Sequence, residues 1–309
     1  MNLFICHTIF QLYFTMQIVK HLEIGDFDVI FIGEVNNKKT LNYFNKISKL
    51  AKTSIALDCN KKTIFFSFDI RKKISKNKYH TIYISSIDSI YTQLIISYLK
   101  FTNLYTFDDG SANINPKSSY YIENRSNKKN LVYWLMGNRF SLSRIKSISK
   151  THYTIYKEKN IIENTSYINI FPSSSYINSN SETCNLILGS VYSEVLLSPK
   201  LKNTLFNNLK SFTNSLSDQT YYLPHPRDLA SIEQYHNEYL SSELIFEDIY
   251  SQLSQKYRKI NIISFCSSSI LNLKLESSYI ITGDIFNSSY LNLVDYISSS
   301  STKLITINK

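Results

Sequence analysis

Two acids followed by a glycine, Asp108-Asp109-Gly110, close an apolar run that ends at Phe107. Adjacent carboxylates repel, and the repulsion raises the pKa of one of them towards the range of a general base. Gly110 supplies the turn. The plainer use of the same residues is a polar turn in which an Asp caps the next element. A second group, Leu223-Pro224-His225-Pro226-Arg227, holds a histidine between two prolines of fixed φ. A rigid imidazole beside an arginine at a helix start suits a phosphate, or protonation of a leaving oxygen. The alternative is a surface turn with an incidental histidine.

Three further groups follow apolar runs. Ser267, Ser268 and Ser269 lie between a strand-like run ending at Phe265 and an apolar helix-like run from Ile270. Their hydroxyls and the unpaired N–H groups of a helix start would make an anion site, or simply an N-cap. Gly189-Ser190 ends another strand-like run, and Gly189 lets a backbone approach a ligand closely. Glu194 follows as a catalytic acid or a first-turn helix acid. Ile245-Phe246-Glu247-Asp248 reads as a short strand ending in two acids, with Glu247 placed for ribose hydroxyls or Asp248 as an N-cap.

Other polar groups carry less. Asp26-Phe27-Asp28 has a metal-diphosphate spacing but precedes its strand, which puts it at the wrong sheet edge. His7, His21, His80, His152 and His236 lack ligand spacing, so no metal site is expected. Trp134 sits in an apolar run and is expected in the core.

The elements that position these groups alternate. Strands are expected at Leu3–Cys6, Val29–Ile32, Ser54–Leu57, Thr81–Ile84 and Leu104–Phe107, with helices at Thr8–Leu22, Lys39–Lys52 and Ser89–Lys100. Continuous apolar strands separated by helices indicate a parallel sheet covered on both faces. Residues 115–180 are less regular, with a helix near Asn130–Met136, a strand at Tyr153–Tyr156 and an apolar run at Ile168–Phe171. The Ser/Asn-rich stretch from Pro172 to Ser181 reads as a linker.

Alternation then resumes with strands at Asn185–Leu188, Thr220–Leu223, Asn261–Phe265, Tyr279–Ile281 and Leu304–Ile307. Helices are expected at Lys200–Leu216, Leu229–Tyr239, Ile249–Lys256, Ile270–Leu275 and Ser289–Ile297. The expectation is an α/β protein of two domains, residues 1–172 and 173–309. Two such domains leave a cleft at facing carboxyl edges, where ligands bind.

Composition excludes several classes. A chain of 309 residues, 43% hydrophobic and 19% charged, buries a sizeable core and is not mainly disordered. Its net charge of +10 favours anionic partners. The cations are scattered in short runs without a basic helical stripe, which argues against nucleic acid. Cys6, Cys59, Cys184 and Cys266 are far apart in sequence and read as reduced thiols of a cytoplasmic protein. The start at Met1–Cys6 reads as a strand, not a signal peptide. No stretch reaches the roughly 20 apolar residues that span a bilayer.

In this order the motifs resemble the bacterial lipooligosaccharide sialyltransferases of glycosyltransferase family 52. The resemblance rests on Cys6-His7-Thr8-Ile9-Phe10-Gln11, Phe107 to Asn113, His152-Tyr153-Thr154-Ile155, Gly189-Ser190, Pro224 to Arg227, Glu247-Asp248 and Phe265 to Ser269. It implies two Rossmann-like domains facing a cleft, the glycosyltransferase B type, with dimers by domain exchange in some members. The first domain would serve the acceptor and the second the CMP-sugar. The implied reaction moves N-acetylneuraminate with inversion from CMP-Neu5Ac to a galactose hydroxyl of lipooligosaccharide or a similar glycan, with α-2,3 linkage. It requires neither metal nor cofactor.

His225 would stabilise the departing phosphate, helped by Arg227 and one of Ser267, Ser268 and Ser269. The implied substrate contacts also include Gln11, Asp108, Gly189, Ser190, Pro226 and Glu247. The base is open between Asp109, by analogy with related sialyltransferases, and Glu194. Glu194 is the acid nearest the Gly-Ser loop, where Tyr192 occupies the position of the family's proposed Asp. A tyrosine of ordinary pKa is a poor base at neutral pH. Positive charge would suit peripheral contact with an anionic inner membrane. Two rival functions stay in view: a UDP-sugar hexosyltransferase of the same fold, and a non-catalytic glycan- or nucleotide-binding protein.

Overall fold

The computed structural model describes residues 1–58, 63, 66–67, 70, 74, 78–116, 118–121, 125–157, 160–171, 182–216, 218–225, 238–239, 243–265, 278–297 and 302–308. The chain divides into two units, Met1–Ile170 and Phe171–Lys309.

The first unit begins β1 (Asn2–Cys6), α1 (Ile9–His21), β2 (Phe27–Ile32), α2 (Lys38–Ser48) and β3 (Thr53–Leu57). It continues β4 (Lys78–Ile84), α3 (Ile90–Tyr98), β5 (Lys100–Phe107), α4 (Asn127–Leu135), α5 (Leu142–Ile148), β6 (Ser149–Thr154) and β7 (Thr165–Tyr167). The seven strands run parallel in the order β3-β2-β1-β4-β5-β6-β7. After β3 the chain returns to the other side of β1, so the direction of winding reverses between β1 and β4. Ligands of open α/β sheets bind at the carboxyl ends of strands at such a reversal.

Alternation along β1 explains why both faces are covered. Leu3 and Ile5 join one core with Ile30, Ile82, Ile84 and Ile95. Phe4 turns to the other face, stacked on Tyr83 with ring centres 4.4 Å apart and edge-on to Phe27. Thr8 starts α1 with a capping box: its hydroxyl accepts from the Gln11 N–H, and the Gln11 side chain accepts from the Thr8 N–H.

The second unit comprises β8 (Thr183–Leu188), α6 (Tyr192–Val195), α7 (Lys202–Asn214), β9 (Gln219–Leu223), β10 (Glu238–Tyr239), α8 (Phe246–Lys256), β11 (Lys259–Ser264), β12 (Ser278–Thr282), α9 (Ser288–Ile297) and β13 (Thr302–Thr306). Its parallel order is β10-β9-β8-β11-β12-β13, with the reversal between β8 and β11. The core is built on Leu186, Ile262, Ile263, Ile280 and Ile281, all fully buried.

Several sequence expectations need correction. The segment Ile245–Asp248 is not a strand: Ile245 is the N-cap of α8, and Glu247 and Asp248 lie in its first turn. Phe246, Ile249 and Leu253 recur at helical spacing and are buried, so burying that stripe outweighs the strand propensity of two apolar residues. Helix α2 ends at Ser48, four residues early, because Lys52 already donates to the Phe27 carbonyl at 2.8 Å as the chain enters β3. Lys100, expected to end a helix, begins β5. The expected strand at Tyr153–Tyr156 starts instead at Ser149, and the pairing strand near Ile168 is Thr165–Tyr167.

Glu238 and Tyr239, expected at a helix end, pair with Tyr221 and Tyr222 as β10. The other residues of that expected helix, 229–237, lie outside the described residues, as do the linker 172–181, the helix 270–275, Cys59 and Cys266. Cys6 and Cys184 are buried free thiols, and burial pushes each up to about 12. Trp134 is not in the core, with 56% of its surface exposed on α4.

Candidate active site

Asp109 follows β5, one strand from the reversal in the first unit. Gly110, at φ +106°, turns the chain directly after it. The carboxylate is half-buried and held from both sides. Tyr120 donates to Oδ2 at 2.6 Å, and the Gln11 amide donates to Oδ1. The same amide donates to the Ser86 hydroxyl at 3.0 Å. Gln11 stands in the first turn after β1, and Ser86 follows β4, so these contacts bring Asp109 to the β1–β4 reversal. Ser86 itself bends the chain with φ +46°, a strained value for a residue with a side chain.

Burial raises the Asp109 pKa, and the nearby Asp88 carboxylate adds to the rise. Hydrogen bonds from Tyr120, Ser86 and Gln11 oppose it. Burial also raises Tyr120 well above its ordinary value, with the Asp109 charge as the next cause, so its phenol stays a donor. His7, half-buried beside Thr92 with Nε2 2.7 Å from Oγ1, is pulled down to about 4 by desolvation.

Asp108 points the other way and is fully buried. Its Oδ1 accepts from His152 Nε2 at 2.9 Å and Asn113 Nδ2 at 2.8 Å, and its Oδ2 from the Ile155 N–H at 2.6 Å. Thr106 Oγ1 lies 2.8 Å from His152 Nδ1. The pair of acids thus splits its tasks: Asp108 ties the end of β5 to β6, while Asp109 stays near the surface. Gln11 spends its amide inside the fold, on Asp109, Ser86 and the N–H groups of His7 and Thr8.

In the second unit Gly189 and Ser190 follow β8 at the reversal, and His225 follows β9 beside them. A Cβ on Gly189 would stand 2.6 Å from the Tyr222 hydroxyl and 3.1 Å from the His225 nitrogen. The glycine therefore makes room for the chain's own histidine loop. Tyr192, at the position where the resemblance leads one to look for an acid, is sealed in the core with its hydroxyl 2.8 Å from that of Tyr222. Glu194 is exposed in the four-residue α6. Glu247 is buried in the first turn of α8, at the end of that helix nearest the carboxyl edge of the sheet. Pro226, Arg227, Ser267, Ser268 and Ser269 lie outside the described residues.

The sequence profile of glycosyltransferase family 52 matches residues 25–283. The chain belongs to glycosyltransferase family 52. An N-acetyllactosaminide alpha-2,3-sialyltransferase of Haemophilus influenzae is 32% identical over 284 residues, 88% of each chain. A CMP-N-acetylneuraminate:beta-galactoside alpha-2,3-sialyltransferase of Pasteurella multocida is 29% identical over 91% of this chain and 89% of its own. Among solved structures, UDP-GlcNAc 2-epimerase of Methanocaldococcus jannaschii, in complex with UDP-GlcNAc and UDP, superposes with a TM-score of 0.56. It covers 100% of this chain and 90% of its own at 12% identity. That likeness concerns the fold, two Rossmann-like α/β units.

For a family 52 chain the residues that sequence reasoning missed are those around Asp109. Tyr120 and Ser86 sit in stretches without periodicity or motif, and no sequence signal marks them. His152 lies in a matched motif, but its place is structural. Asp28 is also structural: it accepts from the Thr53 N–H at 3.1 Å and the Tyr79 hydroxyl at 3.0 Å at the amino edge of the sheet. Among the described residues no three His, Cys, Asp or Glu side chains group to hold a metal, and no helix is long and apolar enough to cross a membrane.

Proposed function

We propose that this family 52 glycosyltransferase is an inverting sialyltransferase that moves N-acetylneuraminate from CMP-Neu5Ac to a galactose hydroxyl, with α-2,3 linkage. The observation that carries the reading is the Asp109 carboxylate, held at the β1–β4 reversal with a raised pKa, in a chain whose relatives bear sialyltransferase names. Asp109 takes the proton of the acceptor hydroxyl as its oxygen bonds to C2 of the sugar. The bond from C2 to the phosphate oxygen breaks, and its electron pair leaves with CMP. A positioned base of this kind contributes about 10²–10⁴-fold in rate.

His225 donates a proton or hydrogen bond to the departing phosphate oxygen, and Arg227 with the Ser267–Ser269 hydroxyls adds donors. One such donor is worth about 3 kcal/mol in the transition state. Tyr120 and Gln11 orient the base, and Asp108 with His152 holds the turn that carries it. The second unit takes the CMP-sugar through Gly189, Ser190, Pro226 and Glu247. The buried thiols suit a cytoplasmic setting, where CMP-sugars and reduced cysteines coexist.

Donor hydrolysis tests the reading. Incubation with CMP-Neu5Ac and lactose should release CMP and form a sialylated product, whereas release of UDP from UDP-sugars alone would support a hexosyltransferase instead.

A further inference from the structure

His7 stands at the reversal that holds Asp109 and has no part in the reaction above. It follows β1 and precedes Thr8, the N-cap of α1. Its backbone N–H donates to Gln11 Oε1, while the Gln11 amide donates to Asp109 Oδ1. One glutamine side chain thus joins His7 to the base. The ring reaches across to the first turn of α3, where Nε2 lies 2.7 Å from Thr92 Oγ1. Ligands of such sheets bind at this edge.

The contact with Thr92 fixes where the imidazole keeps its proton. Desolvation pulls the His7 pKa down to about 4, so near neutral pH the ring is uncharged and carries one N–H. Thr92 is fully buried, and its hydroxyl makes no other hydrogen bond among the described residues. A buried hydroxyl hydrogen needs an acceptor, so Thr92 donates to Nε2 and the proton sits on Nδ1. Nδ1 makes no hydrogen bond among the described residues. The buried polar side-chain atom left unpartnered there is Asn113 Oδ1, so the Nδ1–H meets solvent. The ring therefore presents one fixed, uncharged donor at the edge where Asp109 takes the acceptor's proton.

Charge narrows what such a donor meets. The Asp88 carboxylate is near enough to raise the Asp109 pKa, so two acids border this edge. They repel the carboxylate and phosphate of a CMP-sugar. A neutral sugar hydroxyl meets no such repulsion, and its oxygen accepts the bond.

We propose that His7 is an acceptor-binding residue whose Nδ1–H, set by Thr92, donates to a galactose hydroxyl other than the one that reacts. The proposal rests on the sialyltransferase reading and gives it a contact for the acceptor.

Steady-state transfer from CMP-Neu5Ac to lactose tests it. An asparagine places its amide nitrogen near the position of Nδ1, and a glutamine places its own near Nε2. His7→Ala should raise the lactose KM about five- to tenfold, with a smaller fall in kcat and an unchanged KM for CMP-Neu5Ac. His7→Asn should restore a lactose KM near that of wild type, and His7→Gln should behave like His7→Ala. Lactosides deoxygenated at O2, O4 or O6 of galactose locate the partner. With one of them wild type should lose what His7→Ala loses with lactose, and His7→Ala should lose nothing further.

Rescue by glutamine instead of asparagine would make His7 a support for Thr92 and overturn the proposal. Losses in His7→Ala as large with all three deoxy sugars as with lactose also overturn it. So does a His7→Ala loss that comes with a lowered melting temperature and an equally impaired His7→Asn. Transfer by wild type with an unchanged lactose KM in His7→Ala fails this proposal alone. A wild type that forms no sialyl-lactose fails the sialyltransferase reading, and the proposal with it.

Discussion

The phenol of Tyr120 donates to the Asp109 carboxylate at 2.6 Å across eleven residues of chain. This bond favours the ionised carboxylate, against the burial that dominates and raises its pKa. A base works deprotonated, so kcat/KM should rise with pH through the raised Asp109 value. Tyr120→Phe removes a bond that lowers that value, so the acid limb should move to higher pH. An unmoved limb would mean that Asp109 is not the titrating base.

The same shift has a stability sign. Asp109 is more easily protonated folded than unfolded, so its stabilising increment is fully present below the ordinary carboxylate range. It is lost as pH rises through the raised value. Urea midpoints of Asp109→Asn should therefore gain on wild type as pH increases through that window. A constant difference across it would contradict the assignment.

Asp108 answers to stability in a different way. Its carboxylate accepts from His152, Asn113 and the Ile155 N–H in a site without solvent. Asp108→Asn puts an amide donor where only acceptors fit and should cost about 2–3 kcal/mol, read as a lower urea midpoint. An unchanged midpoint would remove Asp108 from the scaffold.

The fold was legible where burial alone decides it. Phe4, Ile30, Leu186 and Ile262 lie in apolar runs that only a doubly covered sheet accommodates. Ile245–Asp248 was misread because four residues carry too little periodicity, although Ile249 and Leu253 further on complete the helical stripe. Trp134 was misread because an apolar run looks the same whether its face is buried or, as on α4, exposed. Within the site, Asp109 stands out by its motif. Tyr120, Ser86 and Gln11 reach it only through the three-dimensional fold, since hydrogen bonds across eleven to 98 residues leave no local pattern.

Removal of divalent cations should leave turnover unchanged. In the metal-like spacing Asp26-x-Asp28, the Asp28 carboxylate is spent on Thr53 and Tyr79 at the amino edge. Turnover lost in EDTA and restored by Mg²⁺ or Mn²⁺ would point to a nucleoside-diphosphate donor.

The most direct measurement is sialyl transfer from CMP-Neu5Ac to lactose by wild type, Asp109→Asn, Glu194→Gln and His225→Ala, with CMP affinity read in parallel. Wild type should form sialyl-lactose. Asp109→Asn and His225→Ala should each lose at least about 10²-fold in turnover, with CMP affinity kept in Asp109→Asn, while Glu194→Gln should stay near wild type. Transfer by folded Asp109→Asn at the wild-type rate, or no transfer by wild type, would contradict the account.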